Sequence, residues 1–104
     1  METARIERLT QKQLRQTSVD GVCADLMVHV KKSMGLDDGE ITKNYDLIDR
    51  MEDLDLADLA FYVSQRFGIR EQEVEISWRK IRENRTSYTI INAAQDIYDR
   101  IKWN

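Results

Sequence analysis

The run VDGVCADLMVHVKKSMG, from Val19 to Gly35, places apolar side chains at Val19, Val22, Cys23, Leu26, Met27, Val30 and Met34. Steps of three and four residues put all seven on one stripe of an α-helix. Gly35 stands where a left-handed C-cap is expected, and Ser18 or Asp20 offers the N-cap. Outward from this run the helical periodicity continues, proline is absent and glycine is scarce. Helices are therefore predicted throughout, with no strand pattern of useful length.

Toward the C-terminus, Leu36 to Glu52 reads as a long acidic loop, with Ile41, Tyr45, Leu47 and Ile48 to pin it onto a core. A second helix is predicted from Asp53 to Phe67, with Asp53 as N-cap, Asp55 in the first turn and Gly68 at the end. Its core stripe is Leu56, Leu59, Ala60, Val63 and Phe67. At 100° per residue, Leu54 and Phe61 fall almost on top of each other and well away from that stripe. Val74, Ile76, Trp78 and Ile81 predict a short helix amid the mixed charge of Arg70 to Arg85. The last helix begins near Thr89 and presents Ile90, Ile91, Ala94, Ile97, Tyr98 and Ile101 on one face. At the other end, Ile6, Leu9 and Leu14 make a weak stripe in a basic stretch, read either as a frayed helix or as a tail ordered by a partner.

The 104 residues have room for one compact core. Hydrophobic residues make up 41% and charged residues 34%, too apolar a mixture for wholesale disorder. No apolar run approaches the ~20 residues of a membrane helix, and charges run through the first sixteen residues where a signal peptide would be apolar. A cytoplasmic protein without membrane attachment is expected. Cys23 is the only cysteine and shares the apolar stripe, so it reads as a buried, inert thiol. The lone His29 has no second histidine or Cys-x-x-Cys pair beside it, and reads as a solvated structural residue. Asp53, Asp55 and Asp58 superficially resemble a calcium loop, but Ala57 and the missing glycine break that pattern.

The net charge of −3 is unevenly spread. From Asp37 to Asp58, nine acidic residues face only Lys43 and Arg50, a net −7, so the rest of the chain sums to +4. Such a field disfavours nucleic-acid phosphates and favours a basic protein surface. The plainer reading of a charge run is a solvated face.

The order of a long helix, a long acidic loop, a second helix, a short third and a closing fourth resembles the acyl carrier protein family. The wording is similar too: Val30-Lys31-Lys32-Ser33-Met34-Gly35-Leu36 with Glu40-Ile41-Thr42-Lys43-Asn44 looks like the end of a carrier's first helix and its loop, and Phe67-Gly68-Ile69 like the turn closing its second. Thr89-Ile90-Ile91 with Ala94-Gln95-Asp96-Ile97-Tyr98 is similar to the final helix. The resemblance covers about Val19 to Ile101. It implies an all-α fold, a small four-helix bundle of carrier type over residues 17–104, with residues 1–16 an N-terminal extension, helical or flexible.

Carriers open their second helix with Asp-Ser-Leu, and the serine holds a phosphopantetheine arm. Counting back from Phe67-Gly68-Ile69 puts Glu52-Asp53-Leu54 on that triplet; counting from the loop puts Leu54-Asp55-Leu56 there. Either register replaces the serine by an aspartate, Asp53 or Asp55, so the resemblance implies no attached cofactor. In the first register Leu54, Ala57 and Phe61 match the apolar docking positions of carriers, and Glu52, Asp55 and Asp58 the acidic ones. The alternative is that Leu54 and Phe61 pack under a neighbouring segment.

Three functions follow as expectations. The first is a non-enzymatic carrier-like module, a monomer that docks through Glu52, Asp53, Leu54, Asp55, Ala57, Asp58 and Phe61 on a protein with a basic surface. The second is a small acidic inhibitor of the immunity or antitoxin kind, covering a basic protein. The third is an atypical carrier with an altered attachment site. No nucleophile, general-base pair or phosphate-binding glycine loop rises above background, so no enzyme is expected.

Overall fold

The computed structural model describes residues 6–84 and 86–103; the first five residues of the expected N-terminal extension, Arg85 and Asn104 lie outside the described residues. Six helices, and no strand, occur among the described residues: α1 (Gln11–Gln16), α2 (Val19–Met34), α3 (Leu47–Arg50), α4 (Asp53–Phe67), α5 (Glu71–Glu83) and α6 (Ile90–Trp103). The all-α expectation holds.

Each long helix ends where local chemistry ends it. The Ser18 hydroxyl accepts the Gly21 N–H at 3.1 Å and resolves the N-cap of α2 in favour of Ser18, leaving Asp20 in the first turn, where the helix dipole favours a carboxylate. At the other end Gly35 takes φ 64° and its N–H donates to the Lys31 carbonyl. Gly68 does the same for α4, with φ 72° and a bond to the Ser64 carbonyl. Side chains other than glycine are strained in that left-handed region.

The stripe of α2 faces α6 most extensively and α4 next, while α4 packs against α5. Leu26, Leu47, Leu59, Ile90, Val22, Val30 and Val63 are wholly buried at the centre. Such burial contributes about 1.5–3 kcal/mol for each large aliphatic side chain. The core stripe expected for α4 is buried in full: Leu56, Leu59, Ala60, Val63 and Phe67. In α6 the buried residues are Ile90, Ala93, Ala94 and Ile97. Ala93 joins that face, while Ile91 and Ile101 pack at its edge.

Two segments differ from the sequence expectation. The acidic loop contains a helical turn, α3, because the Asp46 carboxylate accepts the N–H groups of Ile48 at 3.0 Å and Asp49 at 3.2 Å. The third main helix is not short: α5 runs for 13 residues and buries Val74 and Trp78, leaving Ile76 exposed. Its pattern is blurred because Glu73, which pairs with Arg100 of α6, and Arg82, which pairs with Asp53 of α4, interleave with the apolar residues.

The N-terminal segment is held by the domain itself from Glu7 onward. Leu9 donates its N–H to the Arg66 carbonyl at 2.9 Å, and Arg66 donates to the Glu7 carbonyl at 2.8 Å. Thr10 and Gln13 form a reciprocal capping box that starts α1. Leu9 and Leu14 pack on the core.

The start of α6 is fastened to the loop. Its first amides, Ile90 and Ile91, donate to the carbonyls of Tyr45 at 3.1 Å and Lys43 at 2.9 Å, while Leu47 donates to Tyr88 at 2.8 Å. Asp46 accepts from the Ser87 hydroxyl at 2.8 Å across the same junction. Burial pushes the Asp46 carboxyl up, but the hydrogen bonds from Ser87 and from the Asp49, Tyr88 and Ile48 amides outweigh it, holding its pKa below the ordinary value.

Leu59→Ala is expected to cost about 2–5 kcal/mol in urea unfolding, through lost transfer energy and a residual cavity. Asp46→Ala is expected to cost about 0.5–2 kcal/mol at neutral pH. A depressed carboxyl contributes its full stability above the unfolded value, and loses it as pH falls through the folded one. The wild-type protein should therefore shed this contribution below about pH 4, and Asp46→Ala should flatten that part of its acid-unfolding curve.

Candidate docking surface

Helix α4 turns one face to the core and the other outward. Leu54 is 84% exposed and Phe61 46% exposed. Seven residues apart, they stand on one side of the helix, separated by about 10 Å along its axis. The alternative in which both pack under a neighbouring segment is not what the structure has for Leu54. Ala57 lies half-buried between them.

The carboxylates around this face have intramolecular partners that the sequence does not display. Glu52, and not Asp53, occupies the N-cap position, and Asp53 is the first helical residue. The shift follows from Asp55, whose carboxylate accepts the Glu52 N–H at 3.0 Å and so sets the start of the helix one residue earlier. Asp53 pairs with Arg82 of α5. Asp58 lies 2.9 Å from Nε2 of His29 on α2, and the His29 ring stacks on Tyr62 with centroids 4.0 Å apart. His29 is thus not a solvated residue without a partner: it ties α2 to the outer edge of α4. At high solvent exposure each such pair contributes little on its own.

Beside the N-terminal half of α4 runs an open groove of about 470 Å3, walled by Leu54 and Ala57 on one side and by Glu75, Arg79 and Arg82 on the other, with Trp78 beneath. Sequence reasoning missed the α5 wall. The signal was present in the spacing of four between Val74, Trp78 and Arg82, which carries one face of α5 from core to groove.

The thiol of Cys23 is buried, and burial, then the charge of Asp20, pushes its pKa above the usual value. It lacks the electropositive, accessible setting of a reactive cysteine. Ser18 is a cap and Ser87 is bound to Asp46, while Ser33 lies 3.4 Å from the Val30 carbonyl. At Asp53 and Asp55, at the start of α4, only carboxylates are present. Among the described residues, no group of three or more His, Cys, Asp and Glu side chains is placed to hold a metal ion. No described helix is long and apolar enough to cross a membrane.

Comparison of the chain with family models, with curated proteins and with solved structures finds no match in any of the three.

Asp55→Ala is expected to destabilise the domain by about 0.5–2 kcal/mol, because it removes the acceptor for the Glu52 amide. Leu54→Ala should stay within about 0.5 kcal/mol of wild type, as befits an exposed side chain. Thermal melts of the two variants followed by circular dichroism check the contrast.

Proposed function

We propose that this protein is a carrier-like binding module without chemistry of its own, similar to the acyl carrier proteins, which docks on a protein with a basic surface. The observation that carries the reading is Leu54, a large aliphatic side chain left 84% exposed at the start of the most acidic helix. Phe61 extends the apolar surface along the same side, and Glu52, Asp53, Asp55 and Asp58 border it. An apolar centre with a charged rim is the anatomy of a protein interface. The order of α2, the long loop, α4, α5 and α6 supports a four-helix bundle of carrier type, and α1 is its extension.

A carboxylate at Asp53 or Asp55 cannot take a phosphopantetheine arm by the phosphodiester chemistry that a serine undergoes. The module therefore meets its partner by surface complementarity alone, as a regulator or adaptor of an enzyme that otherwise engages a true carrier. The rim does two jobs in this reading. Glu52 and Asp55 form the capping box of α4 and Asp58 holds His29, so charge reversal at any of them would disturb the fold; Glu52→Gln, which keeps an acceptor oxygen, is the better probe of rim charge.

The test has two parts. Incubation with coenzyme A and a phosphopantetheinyl transferase should leave the intact mass unchanged; a stoichiometric adduct would return the protein to the carriers. Affinity capture from the native cell should then recover a basic, carrier-dependent enzyme. Its association should slow as salt is added, and slow with Glu52→Gln. Phe61→Ala should mainly speed dissociation. Capture of a toxin or nuclease, one to one, would replace the adaptor reading with that of an inhibitor.

A further inference from the structure

The end of the molecule formed by α1, the turn after α4 and the end of α6 holds a second pocket, of about 300 Å3. The exposed side chains of Arg8, Arg15 and Lys102 all line it, and its mostly polar surface has a smaller apolar part from residues that include Leu14 and Ile101. Among the described residues, no carboxylate lines it. The groove beside α4, by contrast, carries Asp53 and Glu75, and the one between α5 and α6 carries Glu73. Among the described residues neither Arg8 nor Arg15 makes an ion pair; Arg50, Arg70 and Arg79 make none either, while Arg66, Arg82 and Arg100 do.

A structural reason for these cations exists, and its size can be judged. Arg15 lies in the last turn of α1 and Lys102 in the last turn of α6, while the Arg8 guanidinium lies against Gly68 at the end of α4. Lys102 also donates to the Arg15 carbonyl at 2.9 Å and sits over the Tyr98 ring at 5.2 Å. Three helix C-termini together carry roughly −1.5 charges, so three cations leave an excess of about 1.5 positive charges in the pocket. Gly68 gives the guanidinium its room: a Cβ there would come within 2.6 Å of Nη2 of Arg8.

We propose that this pocket is a binding site for a phosphorylated small molecule, with Arg8, Arg15 and Lys102 holding its phosphoryl oxygens. A pocket near 300 Å3 is at the small end of ligand sites and suits a compact group, such as a diphosphate, with a short apolar portion against Leu14 and Ile101. Arginine presents a planar fork of donors that matches phosphate oxygens two at a time. The site is independent of the α4 docking face and stands or falls separately from it.

Titration of the full chain with pyrophosphate at constant ionic strength, followed by amide NMR, tests the proposal. The expected result is saturable one-to-one binding at about 1 mM or tighter, with shifts centred on Leu14, Gly68, Ile69 and Lys102. Arg15→Gln and Lys102→Gln should each weaken it at least roughly tenfold, a loss of about 1.4 kcal/mol. Arg15→Lys and Lys102→Arg should retain most of it, which separates lost charge from a disturbed fold. Lys32→Gln, in the last turn of α2 and outside the pocket, should change nothing. A parallel arm uses phosphatidylcholine vesicles with and without phosphatidic acid. Pyrophosphate binding without sedimentation assigns a soluble ligand, and sedimentation with phosphatidic acid that Arg15→Gln abolishes assigns a lipid headgroup. Non-saturable shifts spread over all lysines and arginines would overturn the proposal, as would equal binding by the glutamine variants.

Discussion

The side chain of Asp46 is the fastening on which the arrangement of helices depends. One carboxylate begins α3 through the Ile48 and Asp49 amides, and reaches across to Ser87 and the Tyr88 amide at the entrance to α6. On either side of it the loop carbonyls of Lys43 and Tyr45 take the first two amides of α6, groups that a helix cannot satisfy for itself. The long acidic loop thus completes, from more than forty residues earlier, the N-terminal cap of the last helix that Thr89 and Asn92 begin locally. With α6 placed in this way its apolar face meets α2, and the largest helix contact of the domain follows.

A second consequence is the way the domain handles its acidic helix. Carboxylates crowded at the start of α4 are favoured by the helix dipole and spread their charge over three neighbours: the Glu52 amide, Arg82 and His29. The acidic rim is therefore part of the architecture of α4 as well as of its surface. Leu54 has no such structural employment and stays exposed beside these carboxylates. Tyr88 shows the opposite case. It is buried between Trp78 and α6, donates its hydroxyl to Asp96, and is pushed far above the ordinary tyrosine pKa by burial and then by that carboxylate.

The two ends of the molecule have opposite character. Near the start of α4 the surface is acidic with an apolar centre; near the ends of α1, α4 and α6 it is basic around a small pocket. Both follow from helix polarity, since carboxylates collect at helix starts and cations at helix ends, and the helices here converge in ways that pool those tendencies. Where ends converge, charges placed for local reasons exceed what the local dipoles neutralise.

By itself the sequence determined the helices, their inward faces and their ends, because these rest on residues within one or two turns of each other. The stripe of α2, the core face of α4, the stops at Gly35 and Gly68 and the surplus apolar pair Leu54 and Phe61 were all legible on that scale. So was the presence of aspartates, with no serine, at the start of α4. The one-residue error at the N-cap of α4 came from Asp55 accepting the Glu52 amide, and the unseen turn of α3 from Asp46 capping a helix of four residues inside a stretch read as loop. Only the tertiary structure decided which charges meet. His29 finds Asp58 across 29 residues, Asp46 finds Ser87 across 41, and Lys102 reaches Arg15 across 87. A side chain's periodicity states which way it points from its own helix; what it then touches is set by how helices pack, and packing is a property of the whole core.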